Sequence, residues 1–544
     1  NNTKNLIVEE YPLHLDIGIT NVCNLECTFC ARTVLIDEGK FRNFAINLFA
    51  VDESKGFPYL SGNYIRHSFK NHIIKYRRLG TYTDPDRKKV DVLVVQLKNE
   101  RALERSRTML RNFTSDYLKN RGEKDAALVA YYTTNPEDWR FSYIRMEYKR
   151  EQTESGTFRI RQDVTPAKRY SFLVGANEPN HTAQAQLVGI LADNQNHPTL
   201  AVLENAFSVE AVSKQFYQDY RSQFEKLWNE LNDIVAKDQK IAEEFVVKTI
   251  DTANFAKKLM GQIVFLYFLQ KKGWLGVGKD DSGNFKEWGT GPKNFLHRLY
   301  AKEFTDYGNF FNEVLEPLFY EALATERPND IFSQFNCKIP FLNGGLFEPL
   351  HEYNWQKSGI RIDNALIADL FKTFDQYNFT VREDEPLEKE VAVDPEMLGK
   401  VFENLLPENL RKGKGAYYTP RTIVHYMCQE SLINYLDTTI NFPLEKGDTS
   451  EEVSGCVVPK ADLETLIREG DIILELETAI AEDGNKSKSV LMDSIKENAQ
   501  SLDDALANIK VCDPAIGSGA FPVGMLTEIV KARKVLELYL GGKH

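Results

Sequence analysis

No stretch of about 18 uninterrupted apolar residues occurs in the 544-residue chain, so no membrane-spanning helix is expected. The opening segment NNTKNLIVEEYPLHLDIG lacks a basic region followed by an apolar one, which excludes a secretory signal. The numbering also starts without an initiator Met, as a processed or cut product would. Cysteine is scarce: seven residues, of which Cys337, Cys428, Cys456 and Cys512 are scattered. An odd, dispersed set excludes a disulfide framework and points to a reducing, cytoplasmic setting. No internal repeat of fixed period is visible. Positive charge is not in excess either, with a net charge of −12 and a pI near 5.5. The chain as a whole therefore does not attract nucleic acid, although a local basic face is enough for binding.

The remaining composition is that of a globular protein of three or four domains, with 42% hydrophobic, 11% aromatic and 27% charged residues. One local basic stretch stands out, YIRHSFKNHIIKYRR at 64–78, with five Lys/Arg, two His and no acid. It reads equally as a solvated helix face or as a nucleic-acid contact. KKVDVLVVQLK (88–98) has the Val/Leu content and length of a strand. ERALERSRTMLRNFTSDYLKNRG (100–122) places Leu103, Met109, Leu110, Phe113, Tyr117 and Leu118 on one helical stripe. AALVAYYTT and WRFSYIRMEYK are two further strands. Residues 165–200, marked by GANEPNHT and DNQNHPT, read as a loop-rich connection. Helices dominate from about 204 to 400; NFAKKLMGQIVFLYFLQKKGWLG (254–276) is apolar nearly all round and belongs in a core, closed by Lys271, Lys272 and Gly273. The acidic stretch 440–505 reads as a loop-like insertion between two parts of one site.

The most informative segment is ANIKVCDPAIGSGAFPVGMLTEIVKARKVLELYL, near the end of the numbering. IKVCD is expected as a short strand, Gly517 and Gly519 as a tight turn, and the rest as a helix. Glycines allow close backbone approach to a ligand, and the helix N-terminus offers free N–H groups. Asp513 and Pro514 stand directly before the turn, where a carboxylate can engage polar groups of that ligand. Upstream, LRKGKGAYYTPRTIVHYM (410–427) places Thr419 as a helix N-cap and Pro420 in the first turn, with Tyr417 and Tyr418 in the loop before it.

GAYYTP followed by DPAIGSGAF resembles motifs X and I of DNA methyltransferases that modify the exocyclic amine of adenine. FLNGGLFEP (341–349), LGKVFENLL (398–406) and VFLYFLQKKGWLG (264–276) resemble the helical region of type IIG restriction–modification enzymes. This resemblance covers roughly 41–544. It implies an α/β plus α-helical architecture: a nuclease-like α/β domain at 41–165, a mainly helical connector at 166–400, and the start of a Rossmann-like methyltransferase domain at 401–544. It also implies S-adenosylmethionine as cofactor and double-stranded DNA as partner, and gives no oligomeric state. Tyr418, Thr419 and Pro420 would border the cofactor pocket, and Asp513, Pro514, Ala515, Gly517 and Gly519 would line its methionine end. The reaction implied is methyl transfer to a flipped-out adenine. The Asn-Pro-Pro-aromatic tetrapeptide that such enzymes use does not occur in the chain, nor does the acid expected at the next strand end. The expectation is an N-terminal portion of a longer enzyme, inactive in methyl transfer alone.

In the same family the N-terminal domain cuts DNA with Mg²⁺ held by an Asp and a Glu-x-Lys pair. Asp91, Gln96 and Lys98 match a degenerate form of that pattern, with Asp84 or Asp86 as alternative metal ligands. Strand alternation puts Asp91 and Gln96 on opposite faces. An active nuclease and a decayed or structural domain both stay open. Arg101, Arg105 and Arg107 on the following helix are candidates for phosphate contacts.

Cys23, Cys27 and Cys30 have a C-x-x-x-C-x-x-C spacing within ITNVCNLECTFC, which resembles the cluster loop of radical S-adenosylmethionine enzymes. Three thiolates there would hold a 4Fe–4S cluster, or zinc. Residues 1–32 cannot build the barrel such an enzyme needs, and are expected to be a fragment joined to an unrelated protein. Three functions follow: a type IIG-like adenine methyltransferase portion, a radical S-adenosylmethionine enzyme, and a non-catalytic DNA-binding subunit.

Overall fold

A computed structural model describes residues 58–540 except 67–68, 100–102, 104–105, 121–123, 134–137, 147–148, 153–157, 162–166, 176–177, 193–196, 343–344, 381–387, 405–418, 442–456, 483–490, 515 and 517–518. The chain divides into two compact units with a boundary at Leu405/Leu406, and Ile65–Asn71 group with the second. No helix among the described residues is long and apolar enough to cross a membrane.

The first unit is built on a seven-stranded sheet. Its strands are β1 (Leu60–Ser61), β2 (Ile73–Thr83), β3 (Lys89–Leu97), β4 (Ala126–Tyr132), β5 (Asp138–Arg145), β8 (Lys168–Gly175) and β11 (Glu388–Glu390), hydrogen-bonded in that order. A separate hairpin pairs β6 (Lys149–Gln152) with β7 (Phe158–Arg161), and β9 (Ile331–Phe332) pairs with β10 (Cys337–Lys338). β3 and β4 run parallel, so the chain must cross over between them, and the helix Arg107–Asn120 makes that crossover. β11 returns from far along the sequence to lie parallel to β8 at the sheet edge.

The two faces of this sheet differ sharply. On one, Val90, Val92 and Val94 of β3, Leu128 of β4, Phe141 and Tyr143 of β5, and Phe172 and Val174 of β8 enter a single core with the helices that follow. The helices Val209–Lys237, Gln239–Val247, Thr252–Lys271 and Asn364–Phe374 supply Phe216, Tyr220, Phe245, Phe255, Ile263 and Phe371 to it, and Phe207 joins them from just past the helix Leu200–Ala206. Sheet and helical region thus share one apolar interior, and sheet pairing runs across the expected 165/166 boundary. Residues 165–200 are not a loop-rich connection. They hold β8 and the helix His181–Ala192, with Phe172, Val174, Ala183 and Leu187 buried. The Gly/Asn/Pro clusters mark the ends of these elements instead of a continuous loop.

The other face carries Asp91, Leu93 and Val95 of β3, Ala127, Val129 and Tyr131 of β4, Arg140 and Ser142 of β5, Arg169 and Ser171 of β8, and Glu388 and Glu390 of β11, as the strand registers require. The Arg107–Asn120 helix covers it with Leu110, Phe113 and Tyr117, three of the apolar stripe expected there. The long apolar helix is also as expected, spanning Thr252–Lys271, with the Asp251 side chain accepting from Asn254 N at 3.0 Å. It ends at Gly273, φ +68°, where a Cβ would stand 2.5 Å from the Gly289 carbonyl oxygen.

The second unit is helical among its described residues: Arg421–Asn441, Lys460–Glu482, Asp493–Glu497, Ala499–Asn508 and Ala520–Glu537. Within 440–505 the described residues are mainly helical instead of loop-like, while 442–456 and 483–490, which carry most of the acidic runs, lie outside the described residues. Leu463, Leu466, Ile467 and Ile473 recur at helical spacing and are buried with Leu432, Leu436, Leu502 and Val535, so apolar periodicity outweighs the acidic composition. IKVCD is likewise not a strand: residues 509–513 pair with nothing in a ladder, and Val511 is 50% exposed. Among the described residues this unit offers no strand to pair with it.

Candidate functional site

In the second unit, the two motif-bearing helices meet. Arg421–Asn441 begins one residue later than the Thr419/Pro420 cap expected, and the Pro420 carbonyl accepts from Ile423 N and Val424 N at 2.9 and 3.1 Å. Ala520–Glu537 begins at Gly519, whose φ of +79° is a left-handed conformation that glycine adopts without strain. No side chain caps this helix, and a Cβ at Gly519 would meet nothing within 4 Å, so the turn opens onto space.

The contact between the helices is close because of Gly524. A Cβ there would stand 2.8 Å from Val424 Cγ1 and 3.5 Å from Cys428 Sγ. Cys428 Sγ in turn donates to the Phe521 carbonyl at 3.7 Å. One turn beyond, the buried carboxylate of Glu528 takes His425 Nδ1 at 2.6 Å and Gln429 Nε2 at 3.1 Å, with Lys531 Nζ at 3.9 Å. Burial pushes the Glu528 carboxyl up, but the hydrogen bonds from His425 and Gln429 and the Lys531 charge outweigh it and hold it below its ordinary value. The N-terminal halves of the two helices are thereby fixed against each other. Sequence reading missed Gly524 and Glu528; a glycine four residues before an acid on one helix stripe was the available signal.

Of the residues expected at a cofactor, Thr419, Pro420, Asp513, Pro514 and Gly519 are described, while Tyr418, Ala515 and Gly517 lie outside the described residues. Cys23, Cys27 and Cys30 also lie outside them. Of the scattered cysteines, Cys337 and Cys428 are buried free thiols and Cys512 is exposed. Burial pushes the Cys337 thiol up to about 12, which makes it a packing residue and not a nucleophile.

In the first unit, β3 separates the three residues of the degenerate nuclease pattern. Asp91 is fully buried beneath the Arg107–Asn120 helix. Its Oδ1 accepts from Thr81 Oγ1 at 2.6 Å and lies 3.3 Å from Lys124 Nζ; its Oδ2 accepts from Tyr117 OH at 2.9 Å and lies 3.9 Å from Arg78 Nη1. Gln96 stands on the opposite face, and Lys98 is exposed just beyond the strand, its backbone N–H donating to the His72 carbonyl at 2.9 Å. Asp84 is buried too, accepting from Lys88 N at 2.7 Å and Leu200 N at 2.9 Å. Donors already occupy both carboxylates, and among the described residues no group of three or more His, Cys, Asp or Glu is arranged to hold a metal ion. These residues do not fit Mg²⁺, and no hydrolytic step follows from them.

Arg107 does not face phosphates. It is buried in an ion pair with Glu390, while Arg101 and Arg105 lie outside the described residues. Glu390 also lies 3.4 Å from Arg140, and Glu388 lies 2.7 Å from Arg169 and 3.5 Å from Arg111. Four arginines from one helix and two strands therefore hold the two glutamates of the edge strand β11. The alternation Glu-Lys-Glu at 388–390 was the sequence signal for it, without any indication of its partners.

A protein of Methanocaldococcus jannaschii, provisionally named a type II restriction enzyme and methyltransferase, is 28% identical to this chain over 352 residues. The match covers 60% of the chain and 26% of that protein, so the chain spans about a quarter of the relative's length. No family profile and no solved structure matches. The likeness supports a restriction–modification protein at the level of the broad class.

Proposed function

We propose that this chain is part of a type IIG-like restriction–modification enzyme whose methyltransferase portion acts on the exocyclic amine of adenine in double-stranded DNA, with S-adenosylmethionine as methyl donor. The likeness to the archaeal restriction and methyltransferase protein carries this reading. The second unit is compatible with the cofactor. The glycine turn opens onto space at Gly519, the N-terminus of an uncapped helix stands behind it, and Asp513 precedes it. When bound, S-adenosylmethionine would supply the methyl group. The residues present would bind and orient it: free N–H groups of the Ala520–Glu537 helix toward its carboxylate, and Asp513 toward its polar groups. Thr419 and Pro420, at the start of the packed partner helix, would border the pocket.

The Asn-Pro-Pro-aromatic tetrapeptide is not in these 544 residues, so cofactor binding is the property to measure. Equilibrium dialysis of the whole chain against labelled S-adenosylmethionine should show saturable binding, competed by S-adenosylhomocysteine. Gly519→Val, which forces a β-branched residue to positive φ, should reduce it at least about tenfold. Absence of binding to the folded wild-type chain would remove the methyltransferase reading.

A further inference from the structure

We propose that His425 and Glu528 are positioning residues for the cofactor: the hydrogen bond between them sets the spacing of the two helix starts that carry Thr419–Pro420 and Gly519. The identity of the cofactor rests on the S-adenosylmethionine reading; the positioning rests on how the two helices divide their contacts along their length.

The C-terminal halves of both helices are held by apolar packing. Leu432, Ile433 and Leu436 on Arg421–Asn441, and Ala532, Val535 and Leu536 on Ala520–Glu537, share one buried core with Leu463, Leu466 and Leu502. These positions on the two helices all lie C-terminal to Gln429 and Glu528, away from the helix starts. Nearer the starts, Ile423 and Met427 on one helix and Val523 and Leu526 on the other are exposed. There the helices meet at Gly524 and at a polar junction. Glu528 Oε1 accepts from His425 Nδ1 at 2.6 Å, and Oε2 accepts from Gln429 Nε2 at 3.1 Å. The Glu528 side chain is 1% exposed, and Lys531 Nζ lies 3.9 Å from Oε1.

Glycine lets the helices approach, but it has no side chain to interlock, so Gly524 does not fix their register. The carboxylate does, because hydrogen bonds are directional. Helix Arg421–Asn441 presents both donors, at i and i+4 on one face, and Ala520–Glu537 presents the acceptor. Sliding either helix by a turn would break both bonds and leave a buried charge without them. The junction lies between the apolar core and the helix starts, with His425 five residues from Pro420 and Glu528 nine from Gly519. A ligand that touches both starts binds tightly only when their separation is set beforehand. The core beyond Gln429 and Glu528 keeps the unit folded; the junction keeps its ligand-facing ends in place.

The test is equilibrium dialysis of the whole chain against labelled S-adenosylmethionine, paired with thermal unfolding of the same samples. A hydrogen bond to a charged group is worth about tenfold or more in an equilibrium constant. His425→Ala should therefore raise the Kd at least about tenfold at a temperature where the variant is fully folded. Asparagine places its amide nitrogen where histidine has Nδ1, so His425→Asn should bind within about threefold of wild type. Glu528→Ala should weaken binding as His425→Ala does, and the double variant no further than the weaker single one, because the two act as a unit. Where Glu528→Ala does not fold, the two His425 variants decide the matter. Ile433→Val, in the apolar core, should lower the thermal midpoint and leave the Kd unchanged. An unchanged Kd in His425→Ala, with wild type binding, would overturn the positioning role while leaving the S-adenosylmethionine reading intact. His425→Asn binding as weakly as His425→Ala would mean that the imidazole itself touches the cofactor, and would overturn a role through Glu528. Losses that multiply in the double variant would do the same. A folded wild-type chain that binds no S-adenosylmethionine would remove the reading and the positioning role together.

Discussion

Arg169 Nε lies 2.7 Å from Glu388 Oε2, and both side chains are almost wholly removed from water. The pair joins β8 to β11, strands separated by more than two hundred residues of chain, with Arg111 of the covering helix on the other carboxylate oxygen. β11 is only three residues long, so its ladder is short and its attachment depends on these charges. Removing one partner of a buried pair leaves the other uncompensated, at a cost of about 3–5 kcal/mol. Glu388→Ala should therefore lower the urea midpoint of the first unit substantially, and Glu388→Gln by less. A change within about 0.5 kcal/mol, the range of ordinary surface substitutions, would show that water reaches this face.

Gly524 sits where two helices are too close for a side chain. Its Cβ would meet Val424 Cγ1 at 2.8 Å, and that valine is itself buried. Gly524→Ala gains helix propensity but must push the helices apart, and overpacking of this kind costs about 1–3 kcal/mol. Val424→Ala in the same chain should relieve part of that cost. A double-mutant cycle measured by thermal unfolding should give a favourable coupling, whereas simple additivity would place the contact elsewhere.

What the sequence made legible follows from periodicity. The apolar stripe of Arg107–Asn120, the Val-rich β3 and the all-round apolar helix Thr252–Lys271 are where apolar spacing put them. Residues 165–200 and the described helical parts of 440–505 were misjudged for one reason: local Gly, Asn, Pro and acid content was weighed above the buried positions between those clusters. Leu463, Leu466 and Ile467 keep their spacing despite acidic neighbours. IKVCD failed in the opposite sense, since a β-prone sequence becomes a strand only beside a partner. The site was half legible. The Gly519 turn and the two motif helices could be read, but Glu528 bridging to His425 and Gln429, about a hundred residues away, is a tertiary fact with no local signature. The same holds for the four arginines around Glu388 and Glu390.

Asp91 was expected at a metal site, and its surroundings give a different and measurable role. Tyr117 OH and Thr81 Oγ1 donate to it, and Lys124 and Arg78 balance its charge. Tyr117→Phe removes one hydrogen bond to a charged acceptor and should cost about 1.5–3 kcal/mol. Asp91→Ala strands Lys124 and Arg78 near the covered face and should cost more. Chemical denaturation would rank the two. A chain stabilised by Asp91→Ala would mean that the carboxylate is held at a loss for some function, as metal-binding carboxylates often are.

Glu316 is completely buried between the π-helical turns Phe311–Leu315 and Leu318–Leu323. Its Oε1 accepts from Tyr353 OH at 2.6 Å and its Oε2 from Asn312 Nδ2 at 2.9 Å, while Tyr320 OH lies 3.0 Å from Tyr353 OH. Burial pushes the carboxyl up to about 8, against the smaller opposing effect of the Tyr353 and Asn312 hydrogen bonds. The folded state thus keeps a proton that the unfolded chain releases near 4.5. Stability from this group is complete below that value, falls as pH rises toward 8, and changes no further above it. Within the window the slope approaches about 1.4 kcal/mol per pH unit. Glu316→Gln keeps the shape and removes the titration. Urea unfolding of wild type and variant at pH 5.5, 6.5 and 7.5 (spanning roughly the window above) should show the variant gaining on wild type at each step. Other titrating groups, common to both chains, cancel in that difference. A difference constant across the three pH values would mean that Glu316 is ionised throughout and that water or another donor compensates it.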